Sequence, residues 1–158
     1  MITTELIKEL RDLTGISVMQ CKKALEEVGG DIEKATALLQ KKSADVASKK
    51  SDRTLGAGVV ESYIHATLNV GTIVELLCET DFVAKNEDFR KLARDIAMHV
   101  TATDPQSLSS ETSDENALLN QSFIKNPELT ITNLIEGSIQ KFGEKIEISR
   151  FVRYSVSQ

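Results

Sequence analysis

The chain contains no tryptophan, and Phe and Tyr together make up only 4% of its 158 residues. A core must therefore be built mainly from aliphatic side chains, and any exposed Phe stands out as a candidate partner contact. Cysteine and histidine are also scarce, with two of each. Cys21 and Cys78 form no CxxC pair, have no His at ligand spacing and fall in apolar rows, where a free thiol behaves as a small hydrophobe. They are expected to be reduced and buried, with no metal and no disulfide. His65 and His99 stand far apart and lack triad partners; they read as a strand-end and a helix-end residue. No apolar run approaches the ~20 residues that span a bilayer. The opening Met1-Ile2-Thr3-Thr4-Glu5-Leu6 lacks a basic region followed by an apolar run, so a cytoplasmic location is expected.

Phosphate-loop and nucleophile signatures are missing as well. Gly56-Ala57-Gly58 has no Gly-Lys-Ser/Thr after it, and no nucleophile elbow is present. No catalytic residue, cofactor or metal is expected, and the protein reads as a binder rather than an enzyme. The net charge is −5, spread unevenly: −2 over residues 1–40, +3 over 41–53 and −6 over 54–158. An acidic body argues against broad phosphate-backbone binding, so no direct nucleic-acid contact is expected. The basic run Lys41, Lys42, Lys49, Lys50 and Arg53 reads as a solvated helix or linker.

What is present is strong periodicity of two kinds. Residues 1–42 read as three short helices. Leu6, Ile7, Leu10 and Leu13 form one stripe, capped by Thr4 and stopped by Gly15. Ser17 and Gln20 make a capping box before Val18, Cys21, Leu25 and Val28, which share a face and end at Gly29-Gly30. Asp31 caps a third helix with Ile32, Ala35, Leu38 and Leu39 inward. Residues 43–54 read as a basic linker or an extension of that helix. Residues 55–158 then follow a different pattern. Strands are expected over 57–65 and 70–79, joined by a turn at 66–69, with Val74, Leu76 and Cys78 on one face. Asn86 caps a helix whose stripe is Phe89, Leu92, Ala93, Ile96, Ala97 and Val100. Residues 101–116 have loop chemistry. A last helix is expected over 132–142 and a last strand over 145–154, with Ile146, Ile148, Val152 and Tyr154 on one face; Arg150 and Phe151 break its alternation. The fold class is α+β: a three-helix unit, then a core of about three antiparallel strands with packed helices.

One connection is unusual. Between the second strand and the Asn86-capped helix lies Thr80-Asp81-Phe82-Val83, an apolar pair in a short polar setting. Phe82 either tucks beneath the sheet, with Asp81 shaping the turn, or is presented to a partner's pocket as a fixed wedge.

Three stretches resemble the elongation factor Ts family. They are Leu10-Arg11-Asp12-Leu13-Thr14-Gly15 with Val18 to Leu25; Val74 through Cys78-Glu79-Thr80-Asp81-Phe82-Val83-Ala84-Lys85-Asn86; and Gly143 to Ile146 with Arg150 to Tyr154. The first resembles that family's ubiquitin-associated-like N-terminal domain, the second its signature loop and the third its end. The resemblance implies guanine-nucleotide exchange on the GTPase elongation factor Tu during polypeptide elongation. It implies that Thr80, Asp81, Phe82 and Val83 form the loop inserted near the GTPase's magnesium site. It further implies that Arg11, Val18 and Met19 are contacts of the N-terminal domain; Val18 stands where many members have Met. Longer members carry a helical segment between two halves of the core, where this chain has only the polar stretch near 101–116. A homodimer is a further possibility. The rival readings are an adaptor that binds a ubiquitin-like or helical partner and touches RNA through the basic linker, and a small thiol enzyme at Cys78.

Overall fold

The computed structural model describes residues 1–109 and 114–156. The chain divides into two compact units, one comprising Met1–Asp52 with Ile135–Glu144 and the other Arg53–Leu134 with Lys145 onward.

In the first unit, helix α1 spans Thr4–Thr14, α2 Val18–Glu27 and α3 Ile32–Lys49. The cap of α1 is Thr3, one residue before the expected Thr4; its hydroxyl accepts from the Leu6 amide at 3.2 Å. Gly15 adopts the left-handed φ of 71° that ends α1, and the Gly29-Gly30 pair at φ 70° and 88° follows α2. Ser17 accepts from the Gln20 amide and Asp31 from the Lys34 amide, as their spacing predicts. Leu10, Ile16, Cys21, Ala24, Leu25, Ala35 and Leu39 form the core of the unit. Each of the larger aliphatic side chains contributes about 1.5–3 kcal/mol by its burial. Val18 departs from the expected stripe and is 50% exposed; Ile16, in the connection before Ser17, is buried in the cluster that Val18 was expected to join. The basic stretch is not a linker for most of its length, because α3 runs on to Lys49 and buries Ser43.

In the second unit, strands β1 (Ala57–Ile64), β2 (Val70–Cys78) and β5 (Glu147–Ser155) form an antiparallel sheet in the order β1-β2-β5. Helix α5 (Glu87–Thr103), capped by Asn86, covers one face. Thr72 meets Thr101 across that interface at 2.8 Å, and Arg153 Nε donates to the Thr101 carbonyl at 3.1 Å. Val74, Leu76 and Cys78 are fully buried on this side, as expected. The disturbed alternation near Arg150 is a β-bulge: Glu75 pairs with Arg150 and Leu76 with Ile148, so Ser149 has no partner in register. Its hydroxyl bonds the Glu75 carboxylate at 2.5 Å instead. The bulge inverts the facing of the second half of β5. Val152 and Tyr154, expected with Ile146 and Ile148, are exposed, while Phe151 and Arg153 turn toward α5.

The later part of the chain departs from expectation at three points. The polar stretch is shorter at its start, because α5 continues to Thr103; residues 110–113 lie outside the described residues. A small hairpin, β3 (Ser122–Phe123) and β4 (Asn126–Thr130), was not legible. Helix α6 (Ile131–Phe142) ends at Gly143 as expected, but its residues from Ile135 group with the first unit and not with the core range 55–158.

Candidate functional site

The connection after β2 is a built turn. Cys78 is fully buried, and its thiol donates to the Thr80 carbonyl at 3.3 Å. Asp81–Ala84 then form a single helical turn, α4, with Thr80 as cap; the Thr80 hydroxyl accepts from the Val83 amide at 3.5 Å. The amides of Ala84, Lys85 and Asn86 bond the carbonyls of Thr80, Asp81 and Val83 at 3.0–3.2 Å. Asn86 starts α5 at once, accepting from the Asp88 amide at 2.8 Å. Few backbone groups in this connection are left to move.

Side-chain direction follows from the helical turn. Successive residues point about 100° apart. Val83 and Ala84, each 5% exposed, face inward, which sends Asp81 and Phe82 outward. Phe82 is 86% exposed. The expectation that Val83 offers contact surface is corrected, since its side chain is the anchor beneath the turn. Thr80 is exposed, but its hydroxyl is engaged in capping.

Glu79 precedes this turn and was not singled out in the sequence. Its carboxylate accepts from the Lys145 backbone amide at 2.5 Å and pairs with Arg53 Nη1 at 3.4 Å. The Glu79 side chain is only 17% exposed. Nothing local in the sequence signals this role, because both partners are remote in the chain.

The second group of candidates belongs to the first unit. Met19 is 69% exposed and Val18 50%, both in the first turn of α2 after the Gly15 stop; Arg11 is exposed in the last turn of α1. A basic side chain and two apolar ones are thus left in solvent where α1 hands over to α2. The two histidines are placed differently from each other. His65 is exposed beside Tyr63, at 3.2 Å from its hydroxyl. His99 is fully buried, its Nδ1 accepting from the Ile124 amide at 3.2 Å and Nε2 lying 2.9 Å from Gln121 Oε1. Both cysteines are buried, as expected. Burial pushes the Cys21 thiol above its ordinary range. Among the described residues, no helix is long and apolar enough to cross a membrane.

The family description Elongation factor TS matches residues 4–116, which contain both candidate groups. The chain is also 41% identical to elongation factor Ts of Desulforamulus reducens, over 99% of this chain and 90% of the relative. The chain belongs to the elongation factor Ts family. Elongation factor Ts of Thermodesulfovibrio yellowstonii is 40% identical, with 99% and 97% of the two chains covered. The protein of that name from Thermosipho melanesiensis is 38% identical over 196 aligned positions, covering 100% of both chains. That alignment is longer than the 158 residues here, so the elongation factor Ts from Thermosipho carries residues that this chain lacks.

Proposed function

We propose that this protein is a cytoplasmic guanine-nucleotide exchange factor that binds elongation factor Tu and promotes GDP release, inserting the Asp81-Phe82 turn near the GTPase's magnesium site. Family membership supports the exchange role. The observation that carries the insertion is Phe82, which stands 86% exposed on a hydrogen-bonded turn anchored by buried Val83. A ring so placed adds little to the protein's own core. Its ordering cost is met before any partner arrives, which favours association. By linkage, a protein that binds the empty or distorted GTPase better than the loaded one must weaken nucleotide binding by the same factor. Burial of one Phe is worth about 1.5–3 kcal/mol, enough for tenfold or more in dissociation. No bond need be made or broken, so the activity requires neither a catalytic residue nor a cofactor.

The test is stopped-flow release of a fluorescent GDP analogue from elongation factor Tu, with melting temperature measured on the same samples. Phe82→Ala is expected to melt like the parent and to lose about 1–3 kcal/mol of stimulation, severalfold or more in rate. Asp81→Ala should show a smaller loss of the same kind. Normal melting with unchanged release would refute the wedge.

The open face of the sheet supports a second proposal, that two copies of the chain pair. Val60, Ile64, Ile73, Val152 and Tyr154 lie on the side away from α5 and are each at least 40% exposed. Apolar side chains gathered in this way commonly mark an interface. Sedimentation should find a dimer at micromolar concentration and a monomer for Ile73→Asp; a parent that sediments as a monomer rules it out.

A further inference from the structure

We propose that Glu79 is the positioning residue of the exchange turn, holding Asp81 and Phe82 in place through the Lys145 amide and Arg53. The proposal rests on the reading of Asp81-Phe82 as the inserted element.

Two observations carry it. The first is location. Glu79 lies between the last buried residue of β2, Cys78, and the cap of α4, Thr80. Any shift of its backbone therefore displaces the turn directly. The second is the identity of its partners. Arg53 is the residue at which the chain first enters the second unit, and Lys145 is the residue at which it re-enters. The incoming segment also runs close to the Glu79 backbone, since a Cβ at Gly56 would stand 3.4 Å from the Glu79 carbonyl oxygen. One carboxylate thus fastens the base of the turn to both incoming stretches of chain.

The two contacts are unequal. The Arg53 side chain is 48% exposed, and exposed ion pairs are weak and screened by salt. The contact with the Lys145 amide at 2.5 Å is charge-assisted and made by a largely covered carboxylate, so it is the stronger of the two. Gln at this position keeps an oxygen for the amide and loses the ion pair. Ala loses both.

The experiment measures GDP-analogue release from elongation factor Tu against the concentration of the full-length protein, giving a maximum rate and a half-saturating concentration. Glu79→Ala is expected to lower the maximum five- to tenfold, and Glu79→Gln two- to threefold. The half-saturating concentration should stay within twofold, because the N-terminal contacts are untouched. Each loss should vanish in a background carrying both Asp81→Ala and Phe82→Ala, since a positioning residue has nothing to position once both side chains are gone. If Glu79→Ala fails to fold, the Glu79→Gln loss and its disappearance in that background decide the matter. A parental maximum for the Glu79 variants, or a loss that adds to that of the Asp81→Ala/Phe82→Ala double variant, overturns the proposal. A parental rate for Phe82→Ala alone would instead sink the wedge reading, and the positioning role with it.

Discussion

Phe82 and Val83 are neighbours of similar chemistry with opposite fates, one 86% exposed and the other 5%. Sequence spacing could not separate them, because a one-turn helix is too short to show a period. The orientation is decided by the Thr80 cap, which starts the turn and so fixes which residue faces inward. His99 was legible only as a helix-end residue. It is buried against Phe123, with its ring nitrogens engaged by Ile124 and Gln121. That hairpin was unread, so the partners were too. Burial holds the His99 pKa below the usual imidazole value of 6.5. The unfolded chain therefore takes up a proton near pH 6.5 that the folded protein refuses. Stability is complete above that pH and falls as pH drops from 6.5 toward the depressed value. Glu75, whose carboxyl is held low chiefly by the Ser149 hydroxyl, loses its contribution only as pH falls below its ordinary range near 4.5. Glu136, raised by burial, acts in the opposite sense. Subtracting the profile of His99→Gln from that of the parent isolates the histidine. The variant should be about 1–3 kcal/mol less stable at pH 7.5, and the gap should narrow as pH falls below 6.5. Urea midpoints at several pH values measure this, and a gap independent of pH would contradict it.

At the scale of elements, helix ends and strand pairings were largely readable, because their signals are local. Ser17, Asp31 and Asn86 cap as their spacing predicts, and Gly15 and Gly143 take the left-handed conformation at helix ends. The bulge at Ser149 showed only as a broken alternation, since a bulge is defined by the partner strand and not by its own sequence. The packing of β1 on β2 brings another constraint that sequence conceals. A Cβ at Gly58 would stand 2.5 Å from the Leu76 carbonyl oxygen and 2.9 Å from Leu77 Cδ2. The first of these atoms is backbone and cannot swing away, so the two strands must separate. Gly58→Ala is expected to cost about 1–3 kcal/mol, the usual scale of overpacking. A denaturation midpoint equal to that of the parent would show that the strands part at no cost. Helix α6 was read as an element but misassigned, because periodicity gives a buried stripe without saying what covers it. Ser43 and Gln140 are hydrogen-bonded, and residues 135–144 belong with the helices of the first unit.

At the scale of the whole molecule, the proposed labour divides between units, with grip in the first and wedge in the second. Truncation is a poor test of this division. Removing the first 52 residues would also take away the rest of the unit to which the buried Ile135 and Ile139 of α6 belong. Point substitutions at exposed residues avoid that fault. Met19 is 69% exposed and takes no part in the cluster around Leu10, Cys21, Leu25 and Leu39, so Met19→Ala should leave the melting temperature unchanged. If Met19 grips elongation factor Tu, its loss weakens the complex before and after GDP departs by a similar amount. Such uniform binding changes the concentration required and not the rate at saturation. The half-saturating concentration should rise about three- to tenfold, near 1 kcal/mol, with the maximum release rate preserved. Arg11→Ala should act in the same direction, and more weakly at high salt as charge is screened. Phe82→Ala should show the converse pattern, a lowered maximum with a smaller change in half-saturation. A Met19→Ala protein that saturates at the parental concentration but releases GDP more slowly would place part of the exchange step in the first unit and end the division proposed here.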